Sequence, residues 1–424
     1  MRSIITLLVC LLPVFAQDDV KDRVRAARDL RNQGSSAIPQ LQNMLSDPDS
    51  RVRVEAVKSI VEIGTQLSID PLVAATRDND AEVQIRATDG LVNFYLPGYV
   101  SSGLSASLRR VGEAISAKFT DTNDAIIPVH VEVRPEVIEA LGKLARGGAT
   151  MESRANAARA VGILRGRAAI PDLVEAMKKS KNDQVLYESL VAIRKIRDRE
   201  AAPQIEFLLR DLDEKVQIAA IETTGLLQNH DALPKLRAVL AETRKRDVRR
   251  AALTAIAMLP EESNRPVYEQ YLNDRDDKLR AAAAEGIARL KNPSDVPAME
   301  KMFNEERKME PRLSAAFALV MLGRTELSEH SPLQYLVNTL ASSAWRGVAR
   351  PFLVELARDE KVLRAVEQAT RNASRNEKVE LAYVLGMSGD RASLEYIDWL
   401  IRDPNTDVSG AALEARRNLI ARLP

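Results

Sequence analysis

Cysteine is almost missing from this chain: Cys10 is the only one among 424 residues. A chain without a second thiol forms no internal disulfide, whatever the redox state of its compartment. Histidine is nearly as scarce. His130, His230 and His330 stand far apart, with no His-x-x-x-His or His-Glu pair. A zinc centre needs about four ligands, usually His or Cys, so no metal is expected. Aromatic residues make up 4% of the chain while 45% is hydrophobic. The core must therefore be built of Ala, Leu, Val and Ile, and the apolar content is too high for a disordered chain. No phosphate-cradling glycine loop, Ser-x-x-Lys or Gly-x-Ser-x-Gly occurs, so neither a catalytic nucleophile nor a cofactor is expected.

The start, MRSIITLLVCLLPVFAQDDV, places Arg2 before an apolar run from Ile4 to Leu12, with Val14-Phe15-Ala16 ahead of Gln17. That is the layout of a secretory signal peptide. A membrane span needs ~20 apolar residues, and this run is about half as long; no other run is long enough either. Val9 precedes Cys10 where a lipoprotein carries a small residue, which argues against a lipid anchor. Cleavage after Ala16 is expected, and with it a periplasmic or secreted chain with no membrane span. Cys10 and Arg2 leave with the leader, so Lys plus Arg falls from 61 to 60 against 60 Asp plus Glu. A net charge of zero argues against a general nucleic-acid or acidic-membrane binder.

What the chain has in abundance is repetition. VRVEAVKSIVEIG from Val52, VQIRATDGLVNFY from Val83, SRANAARAVGILRG from Ser153 and VLYESLVAIRKI from Val185 align without gaps. So do segments from Val216, Val248, Leu279, Pro311, Glu377 and Val408, at steps of 31 or 32 residues between adjacent members. The fifth aligned position is small, as in Ala56, Ala87, Ala157, Ala220 and Ala315, and the ninth is mostly apolar. Such spacing falls on one helix face and lets a neighbouring helix come close. Ahead of each lies a second helical stretch led by proline (Pro39, Pro71, Pro171, Pro203, Pro234, Pro266, Pro297), and proline suits a first helical turn. Asp-rich turns such as SDPDS, RDNDA and RDLDE join the two, and their side chains can cap the second helix. Each unit is a helical hairpin whose apolar faces only its neighbours can cover, which predicts an all-α solenoid.

Pro-led helix, Asp turn and V-R-x-x-A-A-x-A-L-G-x-L together resemble HEAT repeats, especially the short phycobilisome-lyase type, of which SRANAARAVGILRG is the nearest copy. The resemblance implies about twelve stacked helix pairs over nearly the whole mature chain. It does not imply one function, since the family spans scaffolds, transport factors, lyase subunits and a di-iron hydroxylase, deoxyhypusine hydroxylase. The hydroxylase depends on repeated His-Glu pairs, which this chain lacks.

The expected organisation is a leader at 1–16, a capping half-repeat at 17–36, repeats at 37–96, a degenerate repeat with an insertion at 97–134, and repeats with a C-terminal cap at 135–424. From Pro311 to Glu377 is 66 residues, two periods, and SPLQYLVNTL with AWRGVARPFLVELA fills the gap. From Val83 to Ser153 is 70, two periods and a remainder. There FTDTNDAIIPVHVEVRPE, residues 119–136, alternates Val129, Val131 and Val133 with polar residues in a strand-like period. It is expected to replace one helix of a hidden unit.

Tyr95, Tyr99, Arg109, Arg110, Asp121, Asp124, His130 and Arg134 gather around this stretch and form the candidate protein-binding site, Tyr and Arg being favoured at binding hot spots. The same rings could instead plug the gap left by a missing helix. An EF-hand reading of Asp121, Asn123 and Glu132 fails, because Ile126 stands where glycine is needed. Asn372-Ala-Ser374 matches a glycosylation acceptor pattern. Arg53, Arg154, Arg249, Arg280, Arg312 and Lys378 recur after the first aligned position; their matched charge and shared period with Asp49, Asp80, Asp213 and Asp276 favour a structural ladder over a basic binding stripe. The function expected is a non-enzymatic, monomeric scaffold presenting an extended surface to a protein partner. A lyase-like, client-modifying enzyme subunit is the alternative, and binding of a cell-envelope polymer a weaker one.

Overall fold

The computed structural model describes residues 14–101, 105–107 and 125–423. Among them are 22 α-helices and no strand. The chain divides into two compact units, one of Met1–Ile127 with Val133–Asp198, the other of Pro128–Glu132 with Arg199–Pro424.

In the first unit, helix α1 (Val14–Leu30) and a 3-10 turn (Arg31–Ala37) cap the stack. Antiparallel pairs follow: α2 (Ile38–Met44) with α3 (Ser50–Ile63), α4 (Ile69–Ala75) with α5 (Ala81–Tyr95), α6 (Pro135–Gly147) with α7 (Met151–Ile163), and α8 (Ile170–Lys179) with α9 (Asp183–Ile196). In the second unit, a 3-10 segment (Arg199–Leu208) pairs with α10 (Glu214–Leu226). Then come α11 (Leu233–Glu242) with α12 (Arg246–Ala257), α13 (Arg265–Tyr271) with α14 (Asp277–Leu290), and α15 (Val296–Glu305) with α16 (Met309–Met321). The last are α17 (Pro332–Thr339) with α18 (Arg346–Leu356), α19 (Glu360–Asn372) with α20 (Arg375–Ser388), and α21 (Ser393–Ile401) with α22 (Thr406–Ile420). This is the all-α solenoid that the repeat predicts.

The local chemistry accounts for each hairpin. Pro39, Pro171, Pro234, Pro266 and Pro297 stand in the first turn of their helices. Pro203 lies inside the segment that is 3-10 rather than α. Turn aspartates cap the second helices: Asp49 accepts from the Arg51 N–H at 2.9 Å, Asp80 from Glu82 at 2.8 Å and Asp213 from Val216 at 3.0 Å. Each satisfies an N–H that has no acceptor within the helix. Ala56, Ala87, Ala157, Ala220 and Ala315 are fully buried. Second helices approach backbone to backbone at two glycines: a Cβ added to Gly162 would lie 2.6 Å from Ala192 Cα, and one on Gly225 2.7 Å from Ala255 Cα.

The arginine ladder is present, with a different rung from the one expected. Arg53 Nε bonds Asp78 at 2.7 Å and Arg23 bonds Asp47 at 2.7 Å, while Arg280 takes Glu306 and Lys378 takes Asp403, both at 2.8 Å. Asp47 and Asp78 precede the capping aspartates Asp49 and Asp80 by two residues, so one acid of each turn caps and the other anchors. Asp276 caps α14 and pairs with Arg250, not with Arg249 or Arg280. Arg154 and Arg249 reach the carbonyls of Ala145 and Thr243 instead.

The expectation for 97–134 needs correcting. Helix α5 packs directly on α7 and α4 on α6, so no repeat stands between them. The Asn156 amide donates to Asp89 at 3.0 Å, and the Ala149 N–H donates to the Gln84 amide oxygen at 3.0 Å across this contact. The pairs on either side of 97–134 are thus neighbours, and residues 102–104 and 108–124 of the expected degenerate repeat lie outside the described residues. Nor is its end a strand: residues 125–134 are irregular around a turn closed by Val131 N–H to the Pro128 carbonyl. An alternating sequence becomes a strand only where another strand supplies its hydrogen bonds.

Candidate functional site

The eight expected site residues do not form one cluster. Arg109, Arg110, Asp121 and Asp124 lie outside the described residues. Tyr95 ends α5, edge-on to Phe94 with centroids 5.0 Å apart. Its hydroxyl accepts the Arg134 N–H at 3.3 Å, and the Arg134 side chain pairs with Asp70 at 2.8 Å. The Asp70 hydrogen bond holds that guanidinium's pKa above its ordinary value. Tyr95 and Arg134 thus bring the end of α5 to the start of α6. Tyr99, expected on a contact surface, is 2% exposed and packs inside. His130 belongs to the second unit, its Nδ1 3.7 Å from Glu414, beside the Val129 N–H that donates to Asn418 at 3.3 Å. His230 opens a 3-10 turn, and His330 has an exposed side chain with φ of 72°.

A chain of buried polar groups is not legible in the sequence, because it sits at repeat positions that elsewhere carry residues of surface type. The Asp89 carboxylate, 2% exposed, accepts from the Ser105 hydroxyl, from the Ser107 N–H at 3.0 Å and hydroxyl at 2.6 Å, and from Asn156. Asn156 accepts from Arg159 at 3.3 Å, and Arg159 pairs with buried Glu188. Burial opposes the Arg159 charge, but the Glu188 carboxylate overcomes it and the net shift is upward. Buried charges persist only when so paired. The one available signal was the run of Asp89, Asn156, Arg159 and Glu188 at the seventh and fourth aligned positions of successive helices.

A second feature is an extended segment seated on helix ends. The Ile127 N–H donates to the Ile163 carbonyl at 2.9 Å, and the Lys195 ammonium donates to the Ala125 carbonyl at 3.0 Å. Ile127 is 2% exposed. Every residue of α7 from Ala155 onward is buried, so this helix has no solvent stripe. In the second unit, Arg289 of α14 passes over the Phe317 ring of α16, 5.0 Å from its centroid, and grips Glu355 of α18 through two bonds of 2.8 Å. It also stands 3.4 Å from Glu285, whose carboxyl burial pushes up.

Among the described residues no group of three His, Cys, Asp or Glu side chains could hold a metal, and no helix is long and apolar enough to cross a membrane. Stacked helix pairs with side chains laddered from turn to turn define an α-solenoid repeat protein. The family model for HEAT repeats matches residues 10–92, 170–257 and 242–320, more than half of the chain. The chain belongs to the HEAT-repeat family. Residues 153–179 also match the PBS lyase HEAT-like repeat. No curated protein matches the chain. Among solved structures it is similar to human deoxyhypusine hydroxylase in complex with glycerol, with 19% identity over 68% of this chain and 96% of that one, at a TM-score of 0.28. It is similar to the complex of CpcE and CpcF of phycocyanin lyase from Nostoc sp. PCC7120, with 18% identity over 62% and 91%, at 0.37. An engineered protein gives 17% over 90% and 98%, at 0.35.

Proposed function

We propose that this chain is a non-enzymatic scaffold that holds a protein partner along its stacked helices, acting in the periplasm or outside the cell after loss of residues 1–16. The observation that carries the reading is the seating of residues 125–127. Their main chain is bound by the Ile163 carbonyl and the Lys195 ammonium, with Ile127 buried between. Helix ends that hold an extended segment of their own chain through backbone bonds have the chemistry to hold another chain. HEAT repeats often serve protein interactions, which is in keeping with this. Chemical crosslinking of the intact protein in its native cell fraction, followed by capture, tests it. A stoichiometric protein partner that survives stringent washing is the expected result; capture of none refutes it. Sequencing of the mature N-terminus is expected to begin at Gln17, and a retained Met1 refutes the compartment.

A lyase-like role in handling a bound chromophore is the second reading, favoured by the match of residues 153–179 to the PBS lyase repeat. Absorbance above about 300 nm that travels with the natively purified protein and is absent from its tryptophan and tyrosine spectrum supports that role. A colourless native protein removes it.

A further inference from the structure

One ladder cation has no rung. Arg23, Arg53, Arg280 and Lys378 each meet a carboxylate of a following turn, and Arg154 and Arg249 each reach a carbonyl. Arg312, at the same position of α16, donates no side-chain hydrogen bond to any described residue, and its buried Nε has no acceptor. The following turn differs at one residue from two turns that supply a rung. Asp47, Asp78 and Ser342 occupy the same place: each is the third residue beyond its helix, with its N–H bonded to the carbonyl of the last helical residue, Met44, Ala75 or Thr339. Where two turns carry an acid, the turn after α17 reads LASSAW and carries none.

Arg312 is nevertheless held in place. Its guanidinium lies 5.3 Å from the Phe303 ring and 4.9 Å from the Tyr335 ring, and those rings pack edge to face at 5.3 Å. Rings against a guanidinium fix its plane and leave its edge N–H groups free for a planar, two-oxygen acceptor. Arg307 and Lys308, in the turn just before α16, are exposed and have no ion pair among the described residues. The neighbouring acids are otherwise engaged. Glu306 pairs with Arg280, Glu300 with Arg324, and Glu310 stands near Lys278 and Asp277 with its carboxyl pushed up by burial. Glu305 is exposed at the end of α15. Tyr335 also lines an open recess of about 440 Å³ with Glu329, His330, Gln334 and Asn338, which gives room beside the ring for an incoming chain.

We infer that Arg312, held between Phe303 and Tyr335 and flanked by Arg307 and Lys308, receives a carboxylate from an acidic segment of a protein partner, in the place that a turn aspartate fills elsewhere in the stack. The inference rests on the scaffold reading and gives that partner its chemistry. Its probe is a fluorescein-labelled peptide, acetyl-Gly-Glu-Glu-Gly-Glu-Gly-amide, titrated against the full chain by anisotropy, with a Gln-for-Glu version and inorganic phosphate as competitors. The Glu peptide is expected to bind and the Gln peptide to fail. Arg312→Gln should weaken binding tenfold or more, as loss of a charge-assisted bidentate contact does, and Arg312→Lys should restore part of it. Ser342→Asp is the decisive variant, because it supplies the missing carboxylate in cis; it should weaken the peptide by a similar factor while raising Tm, which excludes misfolding as the cause. Equal binding of Glu and Gln peptides, or of the Glu peptide to all variants, overturns the inference. So does displacement by phosphate at the peptide's own concentration, which would make this a general anion site. If crosslinking captures the native partner equally with wild type and Arg312→Gln, the carboxylate site falls and the scaffold stands; if wild type captures none, the scaffold itself falls.

Discussion

Replacing Arg289 by methionine tests the arch over α16. Arg289 makes two 2.8 Å bonds to Glu355, a 3.2 Å bond to the Ala257 carbonyl and a cation–π contact with Phe317. Its side chain is 11% exposed and that of Glu285 14%, against 33% for Glu355. Removing one member of a buried ion pair costs ~3–5 kcal/mol. Because Glu355 can turn to water, a loss of about 2–4 kcal/mol is the appropriate expectation. The remainder falls on Glu285, left in the core without its cation. Burial already raises the folded-state pKa of Glu285 above its unfolded value, and loss of Arg289 raises it further. The folded state then binds the proton more readily than the unfolded state, so the variant loses stability as pH rises above the unfolded carboxyl value near 4.5. Urea denaturation followed by circular dichroism, at pH 7.5 and again at pH 5, reads both parts. Methionine is expected to destabilise clearly at the higher pH and distinctly less at the lower. A variant within about 0.5 kcal/mol of wild type at pH 7.5, the ordinary range of a surface change, would refute the argument. An equal loss at both pH values would refute the role given to Glu285.

Gly162→Val should destabilise the first unit by about 1–3 kcal/mol or more, because the added Cβ meets backbone, Ala192 Cα at 2.6 Å; thermal unfolding measures it. Asp89→Ala strands the Ser105 and Ser107 hydroxyls and the Asn156 amide, and should speed amide hydrogen exchange at residues 105–107 well above that of α9. Unchanged exchange there would mean that Asp89 does not anchor residues 105–107. Asp213→Ala removes the cap of α10 and is expected to cost about 1 kcal/mol, read as a lower denaturation midpoint.

The solenoid was legible because its signals are local and recur: an apolar period, a proline in a first turn, an aspartate at a cap. The register across 97–134 was not, for a physical reason. Counting residues from Val83 to Ser153 measures chain length, whereas membership of the stack is decided by contact, and Asp89 meets Asn156 directly. Buried polar groups were equally hidden, since Asp89 and Arg159 sit at the position where Lys58 is half-exposed in another copy. The ladder was readable in charge but not in partner. Two acids two residues apart look interchangeable in sequence; only the turn geometry gives Asp49 to the helix end and Asp47 to an arginine. Of the candidate site, packing of Tyr99 was one of the two readings its ring allowed, while the bond from the Arg134 N–H to Tyr95 was not legible, because a backbone donor leaves no mark in the sequence.

The direct contact of α5 with α7 makes the register of the stack independent of the number of residues between Tyr95 and Arg134. The Arg134 N–H meets the Tyr95 hydroxyl at 3.3 Å, and chain inserted between fixed ends costs only about 0.6 kcal/mol more for each doubling of its length. Residues added between 107 and 125 would leave α5 on α7, and Ser107 and Ile127 on their partners. Sequence drift between the anchored residues 105–107 and 125–127 is therefore cheap for the fold, and the repeats keep their architecture through it.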